Sequence, residues 1–408
     1  MRIEQAEVVI TGAGPSGAIA AGLLRKQGHQ VLVLERETFP RFSIGESLLP
    51  QTMTYIEEAG MLKDVVEAGF QFKNGASFTR GDRYTEFDFR EKFSEGWGTT
   101  YQVQRGKFDK VLADAAQRMG ADVRYRHEVT AVDVSGAPKL TVKSDSGELY
   151  EVHAKLILDA SGFARLLPRL LDLERPSAFP VRQAFFTHIE DHIPMGKGFD
   201  RNKIRVAVHP DHQNVWYWVI PFSDGRCSLG VVAEAAFLDT YAGDEATKLK
   251  TLVNEDPNLR TLLANAVWDT PVRTLRGYSS NVKQLCGPGY ALLGNAGEFL
   301  DPVFSSGVTI AMTSSSLAAK AAHKQLTGQT VDWEAEFAVP LRKGVDSFRA
   351  FVEAWYAGSF QKIIFHPAPQ PDIRKMICSI LAGYAWDTKN PYVAEPKRRL
   401  HVLEQVCA

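Results

Sequence analysis

Apolar and polar positions change period several times along the chain, and each change predicts a new element. Val8, Val9 and Ile10 form a short continuous apolar run, the pattern of a strand covered on both faces. Beyond Gly12, Gly14 and Gly17 the pattern becomes helical and small, with Ala18, Ala20, Ala21, Leu23 and Leu24. Gly28 stops that helix, and a second apolar run over 31–34 ends on Glu35. A helix starting at Pro50 has Met53, Ile56 and Met61 as its apolar positions. Phe70 and Phe72, then Phe87 and Phe89, are spaced by two, with Asn74-Gly75 and Gly81-Asp82 as turns, which predicts strands and hairpins.

Further on, a helix over 107–119 stops at Gly120, and short strands follow over 123–125 and 129–134. A polar hairpin over 140–152 precedes a separate buried strand over 156–158, with Asp159 to Gly162 at its carboxyl end. From Pro180 to about Val272 the pattern is antiparallel β, with runs over 205–209, 215–222 and 227–232, and Ser223-Asp224-Gly225 is a hairpin turn. Trp216 and Trp218, two apart, face the same side of one strand. A last buried strand over 290–293 leads through a Gly-rich turn and Asp301-Pro302 into a long small-residue helix over 308–326. The remainder is mostly helical and aromatic, broken by Pro367, Pro369 and Pro371.

These elements describe an α/β chain with a Rossmann-like dinucleotide-binding domain built from three pieces, 1–70, 100–175 and 280–326. An antiparallel β-sheet substrate domain, 71–99 and 176–279, is inserted into it, and a helical C-terminal cap covers 327–408. Composition narrows the picture. Hydrophobic residues at 45% and charged residues at 23% of 408 are ordinary for a globular chain with a full core. A net charge of -1 argues against nucleic acid as a partner. Four scattered cysteines, with no C-x-x-C pair and no metal-ligand spacing, argue against a disulfide framework, give no metal site, and fit a reducing compartment. With no secretory segment and no apolar run of membrane-spanning length, the expected location is cytoplasmic.

The first fingerprint carries the clearest chemistry. In G-x-G-x-x-G, Gly12 allows the tight turn, Gly14 lets the backbone approach a pyrophosphate, and Gly17 lets helix and strand pack closely. Free N–H groups at the helix N-terminus then face the phosphates. Glu35, 18 residues after Gly17, is placed to accept a ribose hydroxyl. Arg36, Arg41, Glu46 and Ser47, just beyond that acid, and Arg105 ahead of its helix are candidate cofactor contacts, as are Val129 and Asp159 near their strand ends. Ser306 and Gly307 open a second anion-receptive helix N-terminus. Lys73, on pattern alone, is a solvated strand lysine.

The order of G-x-G-x-x-G with Glu35, Arg105, Asp159–Gly162, Gly294-Asn295-Ala296 and Asp301-Pro302 resembles the flavoprotein hydroxylase superfamily over most of 6–325. That resemblance implies FAD as cofactor, with Gly294, Asn295, Asp301 and Gly307 among its contacts, and the middle sheet as the substrate domain. Asn295 replaces the aspartate common in that motif, which keeps a hydrogen-bonding side chain but removes a charge. Three features resemble the flavin-dependent halogenases: Trp216, Trp218, Ile220 and Pro221 match W-x-W-x-I-P; Phe299, Pro302, Ser305 and Gly307 match F-x-x-P-x-x-S-x-G; and Lys73 occupies the place of the family's essential lysine.

This second resemblance implies catalysis by Lys73, Trp216, Trp218 and Ser305, a halide held by Ser306 and Gly307, and reduced FAD from a separate flavin reductase. It also implies an electron-rich substrate, either a small molecule or a carrier-bound group. Val215 departs from the family's glycine before the first tryptophan. Phe304 stands where tryptophan halogenases have a glutamate, which argues against free tryptophan as substrate. Two other readings stay open at this point: an FAD-dependent hydroxylase or isoprenoid reductase, and a flavoprotein scaffold that binds a partner through tail aromatics, provided these are exposed.

Overall fold

The computed structural model describes residues 2–194, 196 and 198–407. A parallel core forms where the apolar runs meet. Strands Tyr290–Leu292, Leu149–Asp159, Arg2–Thr11, Val31–Glu35 and Asp122–Tyr125 lie side by side in that order, all parallel. Helix Pro15–Lys26 packs against helix Ser306–Leu326, two small-residue surfaces that approach closely, and Ser315 Oγ donates to the Ser16 carbonyl across the contact at 2.7 Å. The second helix comes from nearly 300 positions later and completes the dinucleotide fold from a distant part of the chain.

The hairpin expected over 140–152 forms, with Lys139–Lys143 antiparallel to Leu149–His153, but its second arm and the buried strand expected over 156–158 are one continuous strand, Leu149–Asp159. Its first half buries alternate residues beside Lys139–Lys143, and its second half is buried throughout. The period changes because the strand passes from a half-covered edge into a sheet covered on both faces. The Asn74-Gly75 pair is no hairpin turn. Gln71–Lys73 pairs with Thr100–Gln102, whereas Gly75–Arg80 pairs with Arg83–Asp88 around Gly81-Asp82, so Asn74 carries the chain from one sheet to another.

A seven-stranded sheet holds the middle of the chain. Its order is Arg273–Arg276, Arg182–Glu190, Arg226–Glu234, Trp216–Pro221, Lys203–Val208, Gly75–Arg80 and Arg83–Asp88, with one parallel pair, Lys203–Val208 beside Gly75–Arg80. Helices Ala235–Leu238, Glu245–Glu255 and Pro257–Leu262 interrupt the stretch expected to be wholly β. Leu249, Leu252, Val253 and Leu259 cover the face that presents Phe185, Tyr217 and Val219, so Phe186, Trp216, Trp218 and Ile220 point to the opposite side.

The last segment is helical as expected: Val339–Tyr356, Ser359–Ile364, Pro371–Leu381, Pro391–Ala394 and Pro396–Val406. Its aromatics are not exposed. Phe348, Phe351, Trp355, Tyr356 and Phe360 are buried in the core, which removes the motive for a partner-binding tail. All four cysteines are free, no metal-competent cluster exists among the described residues, and none of their helices is long and apolar enough to cross a membrane.

Candidate active site

One cavity of about 700 Å³ runs from the carboxyl ends of the parallel strands to the inner face of the seven-stranded sheet. Gly12, Gly14, Glu35, Arg36, Arg41, Ser47, Arg105, Val129, Asn295, Ser305 and Gly307 line it, with Trp216 and Trp218 at the sheet side. Residues scattered over three hundred positions therefore meet at the edge where open α/β sheets bind ligands.

The dinucleotide end shows why these residue types are needed. Gly12 sits at φ +98°, and a β-carbon there would lie 2.6 Å from the Ala160 carbonyl oxygen. A β-carbon on Gly17 would lie 1.9 Å from the Gly12 carbonyl oxygen, so Gly17 serves the close packing of helix on strand and stays outside the wall. Helix Pro15–Lys26 has no side-chain cap at its N-terminus, which leaves backbone donors for an anion. Glu35 accepts Ala13 N–H at 2.9 Å and Glu37 N–H at 3.0 Å. Arg105 makes a two-pronged bond to Asp109, at 2.7 and 3.0 Å, and Arg41 stands 3.5 Å from the same carboxylate. Asp109, wholly buried, thus orients both arginines. Its only sequence signal is the i, i+4 spacing from Arg105.

Five expected contacts stand behind the wall. Asp159 takes Thr11 Oγ1 and Ser161 N–H at 2.9 Å and Leu167 N–H at 2.8 Å, so its carboxylate staples the turn after its strand. Gly294 packs on Ala311 of helix Ser306–Leu326. Ser306 is buried in the first turn of that helix, while Ser305 and Gly307 on either side of it reach the cavity. Asp301 is committed to Val303 N–H, Tyr278 and Tyr356 and faces away from the cavity. Lys73, the fifth, is fully buried rather than solvated: it is 0% exposed, and the strand pair with Thr100–Gln102 covers it.

Lys73 Nζ donates to Ser47 Oγ at 2.7 Å and to the Leu48 carbonyl at 2.6 Å, and lies 5.3 Å from the centre of the Phe89 ring. It has no ion-pair partner among the described residues. Burial pushes its pKa down to about 7, because no carboxylate offsets the loss of hydration of the ammonium form. Next to Ser47, Glu46 faces the cavity, and one carboxylate oxygen lies 2.8 Å from His188 Nε2.

The tryptophan wall depends on a glycine. Trp216 and Trp218 have ring centroids 5.9 Å apart. The Trp218 indole lies across Gly230 of the adjoining strand, where a β-carbon would come within 2.2 Å of Cζ2. Trp218 Nε1–H donates to Ser228 at 3.0 Å and Trp216 Nε1–H to Tyr356 at 2.9 Å. Phe304, in place of the tryptophan halogenases' glutamate, meets Trp355 and Phe360 edge to face.

Residues 5–256 match the model of a family described as FAD binding domain. A chlorinase of carrier-bound 1H-pyrrole-2-carbonyl from Pseudomonas fluorescens is 29% identical, over 97% of this chain and 92% of its own. The corresponding brominase of Pseudoalteromonas luteoviolacea is 30% identical, over 93% of this chain and 92% of its own. The chain belongs to the flavin-dependent halogenase family. It is an FAD-dependent enzyme with the α/β FAD-binding fold of that family. A crystal structure described as a flavoprotein/dehydrogenase from Cytophaga hutchinsonii is also similar: TM-score 0.95, 42% identity and 99% coverage of both chains.

The cavity suits FAD by its own chemistry. Arg41 Nε is buried on the wall without a partner, next to the uncapped helix N-terminus, which is the donor set a pyrophosphate satisfies.

Proposed function

We propose that this protein oxidises halide to hypohalous acid with reduced FAD and oxygen, and passes the halogen to an electron-rich aromatic group. The observation that carries this reading is Lys73, a wholly buried amine without an acidic partner, against a serine in the cavity wall. A structural lysine is ordinarily exposed or paired. We also take the chain to divide as its sequence suggests, into a three-piece FAD domain, an inserted β substrate domain and a helical cap, and to work in the cytoplasm.

In this reading Gly12, Gly14, Arg41 and the N-terminus of helix Pro15–Lys26 hold the pyrophosphate of FAD, and Glu35 its ribose. Bound reduced FAD supplies the electrons that bring oxygen and halide to hypohalous acid, and a separate reductase delivers it. The Gly307 N–H, at the start of the 21-residue helix Ser306–Leu326, holds the halide, with Ser305 and Ser306 shaping the turn. Trp216 and Trp218 keep the organic substrate off the cofactor side of the cavity. Lys73 takes the oxidant in one of two ways. As an ammonium it donates a hydrogen bond to the oxygen of hypohalous acid and polarises the O–X bond. As a neutral amine it attacks the halogen: the N–X bond forms, the X–O bond breaks, and hydroxide leaves as water with the amine's proton.

Two relatives act on carrier-bound pyrrole, and Phe304 brings no carboxylate to a free indole, which together favour a carrier-bound or phenolic substrate. The test is mass spectrometry after incubation with FAD, a flavin reductase, NADH, oxygen and bromide. The substrates are pyrrolyl-carrier protein and a panel of phenols, with Lys73→Ala in parallel. A brominated product absent from the variant is expected. Hydroxylated or reduced product with no bromide dependence would overturn the reading. It would move the chain to a halide-independent FAD oxidoreductase, the alternative that the dehydrogenase description of the 42% identical structure favours.

A further inference from the structure

Trp216 is tied to a second functional element by a single hydroxyl. Its indole N–H donates to Tyr356 Oη at 2.9 Å, and that hydroxyl donates to Asp301 Oδ2 at 2.9 Å. Tyr278 donates to the same oxygen at 3.2 Å, and the Val303 N–H donates to Asp301 Oδ1 at 3.0 Å. The Arg182 guanidinium lies 3.3 Å from the centre of the Tyr356 ring. These side chains are all buried, none more than 9% exposed.

The polarity of this chain is fixed. An indole can only donate, so the Tyr356 hydroxyl accepts from Trp216 and gives its own proton to the Asp301 carboxyl oxygen. The Arg182 charge, over the Tyr356 ring, acts on Asp301 at a distance, with no direct ion pair among the described residues and no partner there for its Nε and Nη1. Within this network the Trp216–Tyr356–Asp301 bonds are buried and satisfied, which holds these three groups in one low-energy arrangement.

The three linked groups come from different parts of the fold. Trp216 begins a strand of the seven-stranded sheet, and Tyr356 ends helix Val339–Tyr356. Asp301 caps the turn Pro302–Phe304, which runs through Ser305 at φ +56° into the N-terminus of helix Ser306–Leu326. A displaced Tyr356 therefore disturbs the tryptophan wall and the halide turn together.

We propose that Tyr356 is a positioning residue for halogenation, holding the Trp216 indole and the Asp301-anchored halide turn in one fixed relation. The halide half of this inference rests on the function proposed above; the indole half does not. The test uses full-length Tyr356→Phe, which keeps the ring under Arg182 and removes only the hydroxyl. Tyr278→Phe is the companion, since it removes a bond to Asp301 without touching Trp216.

Three quantities are read. Ultraviolet resonance Raman of the cofactor-free protein reports the indole N–H bond. Bromide titration of the FAD-bound protein gives halide affinity. Steady-state assays give the bromide KM, kcat, and the share of oxygen released as hydrogen peroxide. In Tyr356→Phe the indole signature should move to that of an unbonded N–H, and the bromide dissociation constant and KM should rise about tenfold, the scale of a lost bond to a buried charged group. kcat at saturating bromide should stay within about threefold, and the peroxide share should rise. Tyr278→Phe should leave the indole signature unchanged. An unmoved indole signature or wild-type bromide affinity in Tyr356→Phe overturns the inference. A wild-type protein indifferent to bromide overturns the function itself and the halide half with it, while the indole signature still decides the other half.

Discussion

Lys73 Nζ and Ser47 Oγ are 2.7 Å apart, and of the two only the serine lies on the cavity wall. The amine stands directly behind the surface that the oxidant of the proposed reaction would reach. Lys73→Met should lower halogenation by at least about a thousandfold while leaving FAD binding within about twofold. Product analysis with flavin-fluorescence titration checks both. Equal losses in the two would mean that Lys73 supports the cofactor site instead.

The pKa of about 7 gives this lysine a visible pH dependence. If the neutral amine carries the halogen, the rate of halogen transfer rises with pH through about 7 and levels above it, since the neutral fraction rises in that direction. We expect this rise, because burial favours the neutral amine. A rate that falls above pH 7 would assign the step to the ammonium as hydrogen-bond donor.

The same shift acts on stability. The folded value, about 7, lies below the unfolded value of about 10.4. As pH falls between these values, the unfolded chain takes up the proton first, and the wild type loses up to about 1.4 kcal/mol per pH unit. Below pH 7 the loss is constant. Lys73→Met lacks this term, so its melting temperature relative to wild type should climb as pH is lowered from 10 to 7. Parallel melting curves across that range would show that the lysine is hydrated in solution.

Arg41 has a buried, unpartnered Nε and stands 3.5 Å from Asp109 and 3.7 Å from Glu35. Arg41→Gln should weaken FAD binding by about tenfold or more, the worth of a charge-assisted bond to phosphate. Fluorescence titration measures it, and an unchanged affinity would remove Arg41 from the pyrophosphate site.

Gly230→Ala would put a methyl within 2.2 Å of the Trp218 indole. The expected cost is about 1–3 kcal/mol of stability from overpacking. A displaced Trp218 should also raise the peroxide formed per oxygen consumed. Denaturant unfolding and a peroxide assay test the two effects, and wild-type values in both would mean that the wall has room to shift.

Phe304→Glu restores the residue type of the tryptophan halogenases at a position packed against Trp355 and Phe360. An unpaired carboxylate there should destabilise the fold by several kcal/mol without giving tryptophan halogenation. A stable variant that brominates free tryptophan would contradict this.

What the sequence determined by itself is what local period and backbone chemistry fix. The strand, glycine turn, helix and strand from Val8 to Glu35 form as their spacing requires: Gly12 turns the chain at φ +98° and Gly17 packs on the Gly12 carbonyl of the same turn, although the Ala160 carbonyl that Gly12 also clears comes from a distant strand end. The shared face of Trp216 and Trp218 follows from the two-residue repeat of one strand. The long helix into which Ser305 and Gly307 lead is likewise local.

Tertiary structure decided burial and orientation, which depend on what distant elements bring. Lys73 has the pattern of a surface strand residue, and only the pairing of Gln71–Lys73 with Thr100–Gln102 and the Ser47–Leu48 segment encloses it. The middle strands read as an uninterrupted β region because the helices over 235–262 are short and amphipathic, and their role shows only once they cover one face of the sheet. Asp301 looks like a cofactor ligand beside Pro302, yet its carboxylate turns to Tyr278 and Tyr356 because burial drives an acid to the strongest donors within reach. Those donors lie 23 residues before it and 55 after it in the chain, distances over which sequence pattern carries no register.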